Sequence, residues 1–172
     1  LYLAITGVIG VFSTFQYDQV ILLEKNDEDA KRVMWLNRFI NLLVASSILL
    51  IIIPFRWQIG NWFNNPDISS WLYLIPISLF FSGQNQIFRV WANRKKEYNI
   101  LATNSIISAI SVPIFSISIG LYSEGPLGLF VGLLSSHIIP PVVLVIYLSR
   151  KEKLGIEYLD FNFCKQSILK FK

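Results

Sequence analysis

The stretch Phe39-Ile40-Asn41-Leu42-Leu43-Val44-Ala45-Ser46-Ser47-Ile48-Leu49-Leu50-Ile51-Ile52-Ile53-Pro54-Phe55 holds no charged side chain between Arg38 and Arg56. Extended back to Val33, it reaches the roughly 20 mainly apolar residues that a helix needs to cross about 30 Å of hydrocarbon. The pattern repeats along the chain. Charge is absent between Asp67 and Arg89, between Glu97 and Glu124, and between Glu124 and Arg150, and the chain opens with an uncharged run from Leu1 to Tyr17. Only 15% of the 172 residues are charged, against about 25% in a soluble domain. Hydrophobic residues make up 53% of the chain and the mean hydropathy is +0.53. These clustered charges exclude a soluble globular reading and predict an all-α, multi-spanning membrane bundle.

Helix is the expected element because backbone polar groups inside a bilayer must be satisfied without water. The charge-free runs predict spans at about 1–16, 33–55, 68–92, 99–122 and 126–149. The expected connectors are a charged loop (Glu24–Arg32), a Trp- and Asn-rich loop (Arg56–Asp67), a basic loop (Asn93–Glu97) and a tight turn (Ser123–Gly125). Residues 1–149 thus form the transmembrane bundle and 150–172 a basic cytoplasmic connector. The first residue is Leu inside an apolar run with no basic flank before it, so the run reads as part of a span rather than a signal peptide. The chain is expected to be an internal part of a larger transporter. Cys164 is the one cysteine, so no disulfide framework or cysteine metal site is expected.

Cations concentrate on the cytoplasmic side of membrane proteins. With the predicted spans, every one of the 15 Lys and Arg residues except Arg56 falls on one side. Loops 17–32 and 93–97 and the tail 150–172 are therefore expected in the cytoplasm, and loops 56–67 and 123–125 outside. Trp57, Trp62, Trp71 and Tyr73 then gather at the outer boundary and Trp35, Trp91, Tyr98 and Tyr147 at the inner one, the headgroup levels that amphipathic rings prefer.

Helix association in lipid relies on close packing and interhelical hydrogen bonds. Gly128 and Gly132 form a GxxxG that Ser136 continues, and the preceding span offers Ser105, Ser108, Ala109, Ser111, Ser116 and Ser118. These two spans are expected to pack closely. Prolines within three spans, Pro76, Pro113 and the pair Pro140–Pro141, are candidates for hinges, because proline removes a backbone donor and kinks a helix. Each also reads as a static kink.

The polar residues inside the spans are the candidate site. Arg38 has Asn37 and Asn41 beside it, and Arg89 lies near the end of its own span. Both guanidinium groups read either as snorkelling to the interface or as lining a vestibule that attracts phosphate. Gln84, Asn85 and Gln86 come one turn before Arg89, and Asn85 and Arg89 share a face with Ser82 nearby. The substrate-cavity candidates are Arg38, Asn41, Gln84, Asn85 and Arg89. His137, the one histidine, reads as a hydrogen-bonded packing residue or a proton relay. Asn26 reads as a helix cap followed by Asp27, Glu28 and Asp29 in a first turn that favours acids. That cluster lacks the spacing and glycine of a calcium loop. No Walker loop, GxSxG, HExxH or CxxC occurs, so neither an enzyme nor a bound cofactor or metal is expected.

Three segments carry a family resemblance. Tyr17-Asp18-Gln19-Val20-Ile21-Leu22-Leu23-Glu24-Lys25-Asn26-Asp27-Glu28-Asp29-Ala30 resembles the second helix and following loop of bacterial polysaccharide-export flippases. Trp91-Ala92-Asn93-Arg94-Lys95-Lys96-Glu97-Tyr98 looks like the family's link between helices four and five. Glu124-Gly125-Pro126-Leu127-Gly128-Leu129 is similar to its turn into helix six. Val20 departs from the family's usual Ala. The resemblance is to the O-antigen and polysaccharide translocases of the multidrug/oligosaccharidyl-lipid/polysaccharide exporter superfamily. It implies a two-lobed helical transporter of the bacterial inner membrane, of which this chain would supply helices two to six of the first lobe. It also implies flipping of a polyprenyl-pyrophosphate-linked oligosaccharide by alternating access, with the remaining lobe and other polysaccharide-assembly proteins as partners and no nucleic acid. The rival expectations are a drug or small-cation exporter of the same superfamily and a membrane enzyme of polysaccharide assembly.

Overall fold

The computed structural model describes residues 17–62, 71–122 and 127–151. Among them there is no strand. A 3-10 turn (Tyr17–Gln19) leads into a short helix α1 (Val20–Leu23), followed by α2 (Asp27–Trp62), α3 (Leu74–Arg94), α4 (Tyr98–Gly120) and α5 (Leu127–Lys151). Three of these, α2, α4 and α5, are both long and apolar enough to cross a membrane. The 21-residue α3 spans about 31 Å at 1.5 Å per residue, but Gln84, Asn85, Gln86, Arg89, Asn93 and Arg94 make it the polar helix of the bundle. It packs against α2, α4 and α5, which covers Gln84 and part of Asn85 and Arg94, while Gln86, Arg89 and Asn93 remain exposed. The expected span 1–16, the turn 123–125 and the connector beyond Lys151 lie outside the described residues.

The charged connector is shorter than the charge pattern suggested, the Trp-rich one begins later, and α3 begins at Leu74 rather than at 68. Helix α2 already begins at Asp27, and it continues through Pro54 and Arg56 to Trp62. Its 36 residues measure about 54 Å, well beyond the hydrocarbon thickness. The charged loop therefore ends before Asp27, and the Trp-rich segment is helical at least to Trp62. Charge marked the edge of the apolar stretch, not the edge of the helix. At the start, the Asn26 carbonyl accepts the Ala30 amide at 3.0 Å, as a cap position requires. The Asn26 side chain instead donates to the Asp29 carboxylate at 3.4 Å.

Helix α3 ends in a Schellman turn. The Glu97 amide bonds the Ala92 carbonyl at 2.9 Å and the Lys96 amide bonds the Asn93 carbonyl at 3.0 Å. This geometry requires a left-handed residue, which is Lys96 at φ 58°. The turn returns the chain at once into α4.

Packing divides into two apolar clusters. One joins Val20, Ile21, Ala30, Val33, Met34, Ile87, Phe88, Trp91, Ile100, Leu144 and Leu148. The other, at the far end of α2 and α3, contains Ile52, Leu72, Ile75 and Leu79. Trp91 is fully buried in the first cluster, so it is a core residue and not the interfacial anchor expected from its position. Between the clusters, α2 and α3 cross at Gly83, where a Cβ would sit 2.6 Å from Asn41 Cγ.

The tightest contact joins α4 and α5. A Cβ on Gly128 would lie 2.8 Å from the Ser116 carbonyl oxygen, and one on Gly132 2.8 Å from that of Val112. The two glycines thus let the α4 backbone approach. Pro113 and Pro140–Pro141 lie inside α4 and α5. About two turns before the double proline, the Leu133 carbonyl is bonded by Ser136 Oγ and by His137 Nδ1, both at 2.7 Å. His137 Nδ1 is thus engaged within its own helix. Pro76 sits in the first turn of α3, where backbone donors lack intrahelical partners anyway. Because Pro76 cannot donate to the Leu72 carbonyl, Ile75 does so at 3.1 Å.

Candidate functional site

The three consecutive amides on α3 point in three directions, as 100° per residue dictates. Gln84 accepts a hydrogen bond from Arg38 Nε on α2 at 2.9 Å. Asn85 accepts one from Asn104 Nδ2 on α4 at 2.9 Å. Gln86 donates to the Asp18 carboxylate, before α1, at 2.8 Å. One turn of α3 thus ties together three other elements.

The candidates separate onto two sides of α3. On one side, Arg38 lies over the Trp35 ring at 4.1 Å and the Phe88 ring at 5.0 Å. Its aromatic cradle and the Gln84 bond hold the guanidinium in a fixed direction. Arg38 and Gln84 line a small cavity of about 210 Å³ with Phe80, Phe81, Val145 and Pro141, which brings the double proline of α5 against the Arg38 site. Asn41 is fully buried and donates to the Phe80 carbonyl at 2.8 Å. It clamps the crossing and is absent from the lining of either cavity.

On the other side, Asn85 and Arg89 line a larger cavity of about 570 Å³ with Asp18, Gln19, Ser82, Gln86 and Asn93. The shared face of Asn85, Arg89 and Ser82 is therefore a cavity wall. Among the described residues, Arg89 is exposed and makes no hydrogen bond or ion pair. Asp18 is fully buried. A carboxylate, four amides and a guanidinium offer planar donors and acceptors suited to hydroxyl and phosphate oxygens.

Sequence reasoning missed Asp18, because its place after the apolar run assigned it to a loop. The signal was an acid abutting the end of a span, where burial demands a partner. Asn104 was also missed. An amide in the middle of the apolar stretch 99–122 is itself a sign of an interhelical bond.

An ionic clasp fixes the end of α3. Arg94 Nη1 donates to the Ile21 and Glu24 carbonyls at 2.8 and 2.6 Å, capping α1, while Arg94 and Lys95 both bond Asp27. At the start of α4, Glu97 accepts hydrogen bonds from Lys151 and from Tyr147, the latter at 3.0 Å. The Lys151 ammonium, followed by the Tyr147 hydroxyl, holds the Glu97 carboxyl below its ordinary range. No cluster of three or more His, Cys, Asp or Glu able to hold a metal occurs among the described residues.

No curated protein and no solved structure matches the chain. The family model described as polysaccharide biosynthesis protein does match it, over residues 1–166. That match takes in nearly every residue of the bundle and both cavities, and the chain belongs to the polysaccharide biosynthesis protein family.

Proposed function

We propose that this protein flips a lipid-linked oligosaccharide across the bacterial inner membrane, as a transporter and not an enzyme. The family membership supports a role in polysaccharide assembly or export, and the spans supply the bilayer setting. The observation that carries the finer reading is the 570 Å³ cavity, where Arg89, unpaired among the described residues, stands beside Asn85, Gln86 and Asp18. An exposed guanidinium on the cavity wall is available for a pyrophosphate, and the amides for sugar hydroxyls. Arg38, already engaged by Gln84, serves as a second cationic wall next to Pro141. The proline pair of α5 and Pro113 of α4 are the points at which helices flex as access alternates.

The small-cation exporter gains one argument from Asp18, a buried carboxylate at the cavity wall. Arg89 in the same wall opposes a cationic substrate, so the flippase reading is preferred. Replacing Arg89 by Ala removes a charge-assisted contact of about 1.5–3 kcal/mol. Surface polysaccharide should fall by about tenfold or more at unchanged membrane-inserted protein, with partial recovery in Arg89→Lys. Full polysaccharide in Arg89→Ala would refute a substrate-binding role for this residue.

A further inference from the structure

A third cavity, of about 530 Å³, opens between the start of α4 and the end of α5. It is lined by Ile100, Val143, Ile146, Tyr147, Arg150 and Lys151. From Val143 to Lys151 the lining follows α5 for about 12 Å at 1.5 Å per residue. Along that path its chemistry changes in one direction, from aliphatic side chains to a phenol and then to two cations. Water is a poor occupant of the aliphatic part, since buried waters need 2–4 polar partners each and Val143, Ile146 and Ile100 offer none. A free inorganic anion would meet the cations but leave the apolar part empty.

We propose that this crevice binds one anionic phospholipid, with its phosphate at Arg150 and Lys151 and an acyl chain along Ile146, Val143 and Ile100. Charge complementarity selects the anionic class. Glu97 neutralises one of the two cations through its bond to Lys151, so the pair and its acid retain a net positive charge. Arg150 is exposed and has no hydrogen-bond or ion-pair partner among the described residues. Tyr147, held by its bond to Glu97, stands at the level where apolar and polar parts of a lipid meet. The site shares no residue with the Arg89 cavity and only Ile146 with the Arg38 cavity, and it requires only that the helices lie in a bilayer, so the Arg150 and Lys151 substitutions test it apart from the flippase reading.

The test is native mass spectrometry of the intact protein, released from micelles with equimolar phosphatidylglycerol and phosphatidylcholine. Each cation near a membrane surface favours an anionic lipid by about fivefold. One phosphatidylglycerol should therefore be retained at least fivefold over phosphatidylcholine. Arg150→Gln combined with Lys151→Gln should abolish that preference, and Arg150→Lys should keep it. Ile146→Trp, which fills the apolar part and leaves the cations, should reduce retention of the lipid. Lys25→Gln, at a residue outside the crevice lining, should change nothing. Equal retention of both lipids would overturn the proposal, as would a preference that survives the double substitution. Displacement of phosphatidylglycerol by millimolar inorganic phosphate would show a simple anion site and overturn it too.

Discussion

Replacing Gly132 by Ala sets two effects of opposite sign against each other. Helix propensity alone favours Ala over Gly by about 1 kcal/mol in a helix interior. The structure argues the reverse. The added Cβ would stand 2.8 Å from the Val112 carbonyl oxygen, about 0.6 Å short of ordinary contact, and would also crowd the Ser116 hydroxyl. The Val112 oxygen belongs to the α4 backbone and cannot rotate away. The two helices must separate, and a radial gap of 0.5–1 Å forfeits a quarter to a half of each dispersion contact it opens. Overpacking of this kind costs about 1–3 kcal/mol, so the net effect is a loss of up to about 2 kcal/mol. Gly128→Ala should behave alike, because its Cβ would lie 2.8 Å from the Ser116 carbonyl oxygen. The double variant should lose less than the two losses added, since one separation relieves both clashes. Gly120→Ala is the control, with nothing within 4 Å of its Cβ, and should not destabilise. Unfolding of the intact protein by SDS in mixed micelles measures all four. If Gly132→Ala is more stable than the parent by about 1 kcal/mol, the close α4–α5 approach is refuted.

Lys96→Gly should stabilise the protein by about 1 kcal/mol in the same assay, because Lys96 holds a left-handed conformation at φ 58° that costs a side chain roughly 1–2 kcal/mol; a loss of stability would argue against the Schellman turn. Glu97 has a depressed pKa in the folded protein, so its contribution is complete above its ordinary value of 4.5 and disappears as pH falls through the lower folded value. Glu97→Gln should therefore be less stable than the parent at pH 7 and approach it in acid, as thermal scans between neutral and acidic pH would reveal; a deficit independent of pH would show that the carboxylate charge is not responsible. Arg89→Ala, scored by surface polysaccharide as above, tests the cavity itself.

The sequence made the helical membrane class legible because hydropathy and charge act over whole spans. The GxxxG at Gly128 and Gly132 was equally plain, since small residues at a spacing of four have few roles other than close approach. Helix ends were less so. Charge told where hydrocarbon would stop, but α2 continues past Pro54 and Arg56 because nothing in aqueous or interfacial surroundings obliges a helix to end there. The proline removes one donor and leaves its neighbours helical. In the candidate site, periodicity correctly put Asn85, Arg89 and Ser82 on one wall. It could not tell that Arg38 and Gln84 face a different cavity, because that depends on which neighbour each side of α3 meets. Nor could it find the Gln86–Asp18 and Asn85–Asn104 bonds, which join residues far apart in sequence and follow from the tertiary arrangement alone. Trp91 shows the same limit, since interfacial position and core burial share one sequence signature.

The most direct test of the flippase reading is to delete the gene and measure surface polysaccharide together with the leaflet in which lipid-linked repeat units reside. The account predicts loss of the polymer and accumulation of lipid-linked units on the cytoplasmic leaflet. Intact polysaccharide alongside altered drug sensitivity would contradict it and favour the exporter.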